Sequence, residues 1–351
     1  MPGPLDEREL SVLYQSTLEA IVPGLQNAIF KPTPYLDYVQ MLKTTEFIGE
    51  RIRVPIEYDK NNSFQYYKDL GQLETTPQKN VRSAYYDWAT WVIGVMVSER
   101  EEKVQNNGKK AIYNLITNRI TSAVRAASEQ LDFDFMQSTG EPTQAGITPS
   151  NGLYTLVGDH LSDITYVGEL SAVDNVWWRS RIHRTGDGNN PGADLPVAGE
   201  GQVLTMFGVD KMIDDLDEDG MKPDMAFLRS DIKRALIAVL AQNDQPVMSD
   251  KDYTLRTGFD NIVYRGVTFA VTKQIKTYPI TGRLDVASDI FWLPKSDALA
   301  LSVFPDSWFT QTDWREPVNQ LARIAWIKGM GNLIAKNRRW LGKTERVARQ
   351  A

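Results

Sequence analysis

The sequence contains no cysteine, so the fold cannot depend on disulfide bonds, thiolate metal ligands or a cysteine nucleophile. It has only two histidines, His160 and His183, which lie apart and have no neighbouring carboxylate pair or Gly-x-Ser-x-Gly motif. We therefore interpret both as structural or surface residues. The lack of cysteine is compatible with a reducing cytoplasm.

The sequence also lacks a hydrophobic run long enough to cross a bilayer, which takes roughly 18 to 20 residues. The longest nearly apolar run covers residues 88 to 97, and the start, MPGPLDEREL, lacks the pattern of a signal peptide. Nor is there an excess of positive charge. A net charge of -6 argues against a chain whose main role is to grip nucleic acid, because phosphate neutralisation needs clustered Lys and Arg.

What is present is the composition of a folded protein, with 42% hydrophobic and 24% charged residues. Residues 1 to 46 mix a short apolar pattern with Pro23, Pro32 and Pro34, which interrupt any long helix, and this predicts an arm and not a domain. Residues 99 to 137 place apolar side chains three and four apart. This spacing predicts one long amphipathic helix of roughly 50 to 60 Å. Its apolar positions are Ile112, Ile116, Ile120, Val124, Ala127, Leu131 and Phe135.

Residues 47 to 58 alternate between apolar and polar side chains, which predicts a strand with one buried face. Residues 81 to 97, rich in Tyr, Trp and Val, predict a second strand that pairs with it. The polar connector between them, residues 59 to 80, is much longer than a usual hairpin loop. A two-stranded ribbon is marginal in water, so either another subunit covers its apolar face or the ribbon lies on its own domain.

Residues 151 to 310 alternate short strands and helices. Met225–Leu228 is a predicted strand, and Ser230 is a candidate N-cap for a following helix. Further strands are predicted at Val267–Val271, residues 290 to 293 and residues 299 to 304. Residues 321 to 351 carry eight Lys or Arg against one Glu. This basic run either contacts DNA non-specifically or pairs with neighbouring subunits, and its strand-like, Trp-containing context favours pairing.

This order of parts resembles the major capsid proteins of tailed bacteriophages, which have the Hong Kong 97 fold. Local stretches that resemble them are GLYTLV from Gly152, the pair Trp177 and Trp178, YRGVTFAV from Tyr264, FWLPKSDALALSV from Phe291 and KGMGNLIAKNRR from Lys328. The resemblance implies an α+β fold. Its expected parts are an N-terminal arm (1–46), an extended β-hairpin called the E-loop (47–97), a P-domain with a long spine helix (98–150), an A-domain (151–310) and a C-terminal segment that returns to the P-domain (311–351).

The resemblance also implies a function. We expect a structural protein that self-assembles into hexamers and pentamers of an icosahedral head enclosing double-stranded DNA, and not an enzyme. No cofactor is expected. Expected partners are further copies of the chain, a portal protein, packaged DNA by non-specific contact and decoration proteins. The expected location is the virion capsid, assembled in the host bacterial cytoplasm. Because the arm is short, we also expect a separate scaffolding protein. The alternative with the same fold is an encapsulin, the shell of a nanocompartment.

Candidate residues for subunit contacts come from the connector, the ribbon and the basic run. They are Phe64, Tyr66, Tyr67, Lys60, Lys68, Arg51, Arg53, Arg338 and Arg339. The aromatic residues are chosen because aromatic side chains dominate interface energies. In the type member of the resembled family a loop lysine crosslinks to an asparagine. Here Lys60 or Lys68 with Asn332 or Asn337 would be the partners, and ordinary solvated lysines are the alternative.

Three short motifs suggest chemistry, but each is incomplete. DDLDEDG at residues 214 to 220 starts like a calcium loop, yet Ala226 occupies the position that needs a bidentate Glu. We interpret it as a solvated acidic turn, and a calcium-dependent or carbohydrate-active enzyme is the alternative from another functional class. Gly342-Lys343-Thr344 lacks the first glycine of a phosphate loop. Gly199 and Gly201 lack the third glycine of a dinucleotide motif, where Leu204 stands.

Overall fold

The computed structural model describes residues 34–47, 49–60, 66, 80–104, 109–141, 147–184, 202–242, 248–249, 262–279, 286–294, 298–317 and 321–348. Most of the predicted arm and of the connector lies outside these ranges. Three of the predicted contact residues, Phe64, Tyr67 and Lys68, are therefore not described.

The described α-helices are α1 (Pro34–Met41), α2 (Glu99–Val104), α3 (Lys109–Gln137), α4 (Leu153–Leu156), α5 (Met206–Glu218) and α6 (Ser230–Gln242). The strands up to the middle of the chain are β1 (Lys43–Thr44), β2 (Ile52–Glu57), β3 (Val81–Tyr86), β4 (Thr90–Ser98), β5 (Tyr166–Val167), β6 (Leu170–Ser171), β7 (Arg181–His183), β8 (Gln202–Val203) and β9 (Met225–Leu228). The later strands are β10 (Met248–Ser249), β11 (Ile262–Tyr264), β12 (Val267–Val271), β13 (Thr277–Pro279), β14 (Val286–Leu293), β15 (Leu299–Val303), β16 (Thr310–Gln311), β17 (Ala322–Ala335) and β18 (Gly342–Ala348). Short 3₁₀ turns cover Val176–Trp178 and Arg338–Trp340.

The predicted hairpin forms between β2 and β3, which pair antiparallel from Ile52 opposite Tyr86 to Glu57 opposite Val81. We call these two paired strands the ribbon base. The prediction of one continuous second strand is wrong, because the chain leaves the ribbon after β3 and starts β4 in another sheet. Backbone groups at this break are held elsewhere: the Asp87 carbonyl accepts from Asn332, and the Ala89 carbonyl accepts from Gly331.

The apolar face of the ribbon base lies on its own chain. Ile52, Val54 and Ile56 are buried in the main hydrophobic core, in the alternating pattern that the sequence predicted. The hydroxyl of Tyr86 donates to the carbonyl oxygen of Ala335 at 3.1 Å. For these paired strands the second hypothesis is therefore confirmed, and no other subunit is needed to cover them.

The long predicted helix is divided in the described residues into α2 and α3, with residues 105 to 108 outside the description. With 29 residues, α3 is roughly 44 Å long. It packs on β4. Its buried face carries the predicted apolar side chains Ile116, Ile120, Val124, Ala127, Leu131 and Phe135.

The smaller of the two main sheets has five strands in the order β1-β15-β17-β16, with β4 paired to β17. The larger has nine strands in the order β10-β11-β12-β9-β14-β18-β7, with β13 on β14 and β8 on β18. Its central strands, β9 and β14, are almost wholly buried. A second hydrophobic cluster lies here under α5 and α6. The predicted strand Met225–Leu228 and the helix predicted to follow it are confirmed.

Near the end of the chain, consecutive strands belong to different sheets. β15 pairs with β17 and β1 in the smaller sheet, while β18 pairs with β14 in the larger sheet. The two sheets are therefore interwoven through the last part of the chain. The α+β class is confirmed. In the part of the chain that the structure describes, no helix is both long and apolar enough to cross a membrane.

Candidate subunit interface

Arg51 lies just before the ribbon base and joins it to the rest of the subunit. Its Nε donates to Asp87 Oδ1 and its Nη1 to Glu169 Oε1, each at 2.6 Å. The hydrogen bond to Glu169 and then that to Asp87 raise the pKa of Arg51 above its ordinary value. The side chain of Arg51 is thus already engaged within the chain, although it is partly exposed.

The other described candidates, one in β2 and two in the connector, are exposed in the single chain. Arg53 donates from Nε to Ser83 Oγ at 3.0 Å, across the two strands. Lys60 is exposed, and its backbone N–H donates to Asp59 Oδ1. Tyr66 has 95% of its surface exposed in the single chain. Their contact with a neighbouring subunit stays a prediction.

Arg338 is a correction, because the structure places it in the core and not on a surface. Its exposed fraction is 0%. Nε donates to the Leu156 carbonyl at 2.8 Å and Nη2 donates to the Gly158 carbonyl at 2.9 Å. Burial lowers the pKa of Arg338 to about 10. The sequence shows two adjacent arginines but not that Arg338 is buried while Arg339 is exposed. Neighbouring residues in a 3₁₀ turn point in different directions.

Arg339, in contrast, lines a cleft of about 530 Å³. Arg339 and Arg181 both bind the carboxylate of Asp219, at 2.7 and 3.0 Å. A third guanidinium of the cleft, that of Arg179, donates to the carbonyls of Ala172 and Val173. The guanidinium groups of the cleft are thus already bound within the chain, and sequence reasoning missed the cleft because its residues come from separate segments.

The acidic run DDLDEDG forms the end of α5 and its cap, so the prediction of a turn is wrong, although Asp214, Asp217 and Glu218 are exposed to solvent as predicted. Three of its carboxylates, those of Asp214, Asp215 and Asp219, pair with cations from other elements. Asp215 lies 2.8 Å from His183, and Asp214 lies 2.6 Å from Arg265. Burial lowers the pKa of His183, although Asp215 opposes this shift. Across the described ranges, no group of three or more acidic or histidine side chains is arranged to hold a metal ion.

The smaller sheet has an apolar face that α3 does not cover. Val92, Met96 and Trp326 lie on this face with 58%, 51% and 45% of their surface exposed. Gly94, opposite Trp326 in the register, leaves room for the indole, because a Cβ at Gly94 would lie 3.0 Å from its ring. We call these residues the open sheet face. Contiguous exposed apolar side chains of this kind indicate a contact surface.

Comparison with known proteins finds no matching protein-family model and no matching curated protein. Solved structures do match. The capsid chain of cyanophage A-1(L) aligns with a TM-score of 0.63 at 14% identity, over 90% of this chain and 93% of that chain. The encapsulin of the holo-SrpI complex from Synechococcus elongatus PCC 7942 aligns with a TM-score of 0.58 at 13% identity, over 90% and 88%. The capsid chain of the native GTA particle gives 0.54 at 11% identity, over 89% and 90%.

The chain has the Hong Kong 97 fold. At these identities the likeness concerns the fold, and it extends over nearly the whole chain. Within this fold the ribbon base, α3 and the larger sheet follow the chain order that the resemblance implied for the E-loop, the spine helix and the A-domain. The residue boundaries of those parts stay a prediction.

Proposed function

We propose that this chain is the major capsid protein of a tailed bacteriophage. Many copies would associate as hexamers and pentamers and close into an icosahedral head around double-stranded DNA. The observation that carries the proposal is the likeness to the cyanophage A-1(L) capsid chain, which spans 90% of this chain. Because the alignment spans 90% of this chain, the aligned part holds no large additional domain that could carry a different activity.

The open sheet face supports association. Val92, Met96 and Trp326 would lose their solvent contact against a second copy, and burying apolar surface contributes about 25 cal/mol per Å². The occupant that we propose is the aromatic part of the connector from a neighbouring copy, with Phe64, Tyr66 and Tyr67. Aromatic side chains are enriched among the residues that dominate interface energies.

The remaining partners belong to the proposal as well. They are a separate scaffolding protein, a portal protein, packaged DNA and decoration proteins. The proposed location is the virion capsid, with assembly in the host bacterial cytoplasm. The proposal assigns no catalytic residue and no cofactor, because the work would come from extended interfaces and not from a pocket.

An encapsulin-type shell is the second candidate, and a specific observation favours it. The encapsulin from Synechococcus elongatus aligns over the same 90% of this chain, with a TM-score of 0.58. The fold is common to both candidates, so the content of the particle must separate them.

The test is to express the full-length chain in bacteria, purify it, and measure its particle size by light scattering and negative-stain microscopy, with and without a candidate scaffolding protein. Shells, tubes or rings of capsomer size support the proposal. A persistent 39.7 kDa monomer under both conditions contradicts it. Particles isolated from their native host then decide between the candidates, since nuclease-protected double-stranded DNA indicates a phage head and a co-purifying protein cargo indicates an encapsulin.

A further inference from the structure

The hairpin of β5 and β6 ends in a turn with an unusual backbone. Gly168 has φ +61° and Glu169 has φ +64°, so both central residues are left-handed. Turns of this kind prefer glycine or asparagine, and a glutamate there is disfavoured by roughly 1 kcal/mol. The subunit therefore holds Glu169 in a conformation that its own backbone does not favour.

This turn touches β3 of the ribbon base and Arg51, the residue directly before β2. The carbonyl of Gly168 accepts from the backbone N–H of Tyr85 in β3 at 3.0 Å. The carboxylate of Glu169 binds Arg51, which directly precedes β2, at 2.6 Å. The approach at Gly168 is close, because a Cβ there would lie 2.7 Å from the Cβ of Ala84. The turn thus fills the space beside β3 and reaches across to Arg51.

A second set of contacts lies further along the ribbon base, near the end from which the connector leaves. Arg82 donates from Nη1 to Asn175 Oδ1 at 2.8 Å. The ring of Tyr58 stacks on that of Trp177 with centroids 5.1 Å apart, and the guanidinium of Arg82 lies over Tyr58. Two separated sets of contacts fix the direction of the ribbon base relative to the rest of the subunit, which one set alone would not do.

The elements that make these contacts are themselves anchored in the core. Trp178 is buried and donates from Nε1 to the Val167 carbonyl at 3.0 Å, directly before the turn. Asn175 donates from Nδ2 to the Ser171 carbonyl at 2.8 Å. The turn and residues 175 to 177 are therefore a rigid support, and we call them the ribbon clamp.

We propose that the ribbon clamp fixes the direction of the ribbon base, and with it the point from which the connector leaves the subunit, and that Glu169 is a positioning residue for the geometry of the assembled shell. This inference rests on the proposed function. The six-residue ribbon base is roughly 20 Å long, so a tilt of about 10° about its Arg51 end moves the end from which the connector leaves by about 3 to 4 Å. A shift of that size would change which residues of a neighbouring subunit the connector meets, and so would change the curvature of the shell.

The test compares Glu169→Ala with a matched control. Arg265 and Asp214 form an ion pair of the same length, 2.6 Å, with side-chain exposures of 38% and 54%, against 39% and 55% for Arg51 and Glu169. Asp214→Ala therefore removes an equivalent carboxylate far from the ribbon in sequence. Glu169→Gly removes the ion pair and also relieves the left-handed strain. The free energy of unfolding of this variant should therefore be equal to or higher than that of the wild type.

Two measurements are made on the full chain. The first is hydrogen exchange of residues 81 to 86 in unassembled subunits. We expect exchange there to be about fivefold faster in both Glu169 variants and unchanged in Asp214→Ala. The second is the particle diameter by electron microscopy. We expect a shifted or broadened distribution, or tubes, for both Glu169 variants, and wild-type shells for the control. Glu169→Gln, which keeps an acceptor for Arg51, should restore most of the wild-type behaviour.

Unchanged exchange in both Glu169 variants overturns the ribbon clamp, whether or not particles form. Faster exchange with shells of wild-type diameter overturns the role in shell geometry. Failure of the wild-type chain to form particles contradicts the proposed function instead, and hydrogen exchange still decides the clamp in that case.

Discussion

The guanidinium of Arg338 donates a 2.8 Å hydrogen bond to the carbonyl oxygen of Leu156, 182 residues earlier in the chain. Leu156 ends α4, and its carbonyl has no partner in that short helix's own hydrogen-bond ladder. The same guanidinium lies 5.7 Å from the ring centre of Trp178. Arg338 therefore links the turn after β17 to the segment that carries the ribbon clamp.

Replacing Arg338 by Ala should lower the free energy of unfolding by about 2 to 4 kcal/mol, because two buried carbonyls lose their donor and a large side chain is removed. Chemical denaturation followed by circular dichroism measures the change. Arg339→Ala is the control, since Arg339 is exposed in the next position. Equal stability of the two variants would contradict the structural role that we assign to Arg338.

Asp132 should make stability depend on pH. It is buried in α3, its Oδ1 has no hydrogen-bond partner, and burial raises its pKa from 3.8 to about 7. Since the folded state favours the protonated carboxyl, the contribution of Asp132 to stability is greatest below pH 4 and is lost as the pH rises through 7. Asp132→Asn should therefore be more stable than the wild type by roughly 3 kcal/mol at pH 8, and close to it at pH 4.

The control for that prediction is Glu129→Gln, an exposed carboxyl on the same helix. Thermal unfolding of the three proteins from pH 4 to pH 8 gives the comparison. A difference between wild type and Asp132→Asn that stays constant over this range would rule out the titration of Asp132.

Sequence reasoning found the parts of this fold that depend on local pattern. The alternation from Ile52 to Ile56 and the spacing from Ile116 to Phe135 are set by one buried face, which a strand or a helix reveals by its period. The sequence pattern cannot show which sheet a strand joins. For that reason the break after Tyr86, where the chain changes sheets, was missed.

The candidate interface was predicted less completely, because its residues depend on contacts between distant segments. The charge of Arg338 gives no sign of the carbonyls that bury it. Glu169 carries one local signal, since a Gly-Glu pair between Val167 and Leu170 has the pattern of a two-residue hairpin turn. Its contact with Arg51, 118 residues away, has no counterpart in the sequence pattern.

A charge on the open sheet face should prevent assembly and leave the subunit folded. Met96→Lys places an ammonium group on the same face as Val92 and Trp326, where burial against another copy would remove its water. The free energy of unfolding should change by about 0.5 kcal/mol or less, because the position is exposed. Ile237→Lys on α6 is the control, as an exposed apolar residue elsewhere. Sedimentation velocity measures the assembled fraction, and wild-type assembly of Met96→Lys would exclude this face as a contact.

The aromatic part of the connector gives the complementary experiment. Replacing Phe64, Tyr66 and Tyr67 together by Ala should reduce the assembled fraction at least tenfold, since each aromatic anchor at an interface contributes about 2 kcal/mol or more. The subunit should stay soluble and keep its melting temperature, because Tyr66 is 95% exposed and adds little to the core of its own chain. Phe207→Ala, an exposed aromatic on α5, is the control. If the triple variant forms shells as the wild type does, the aromatic connector residues are not the anchor, and the open sheet face requires a different occupant.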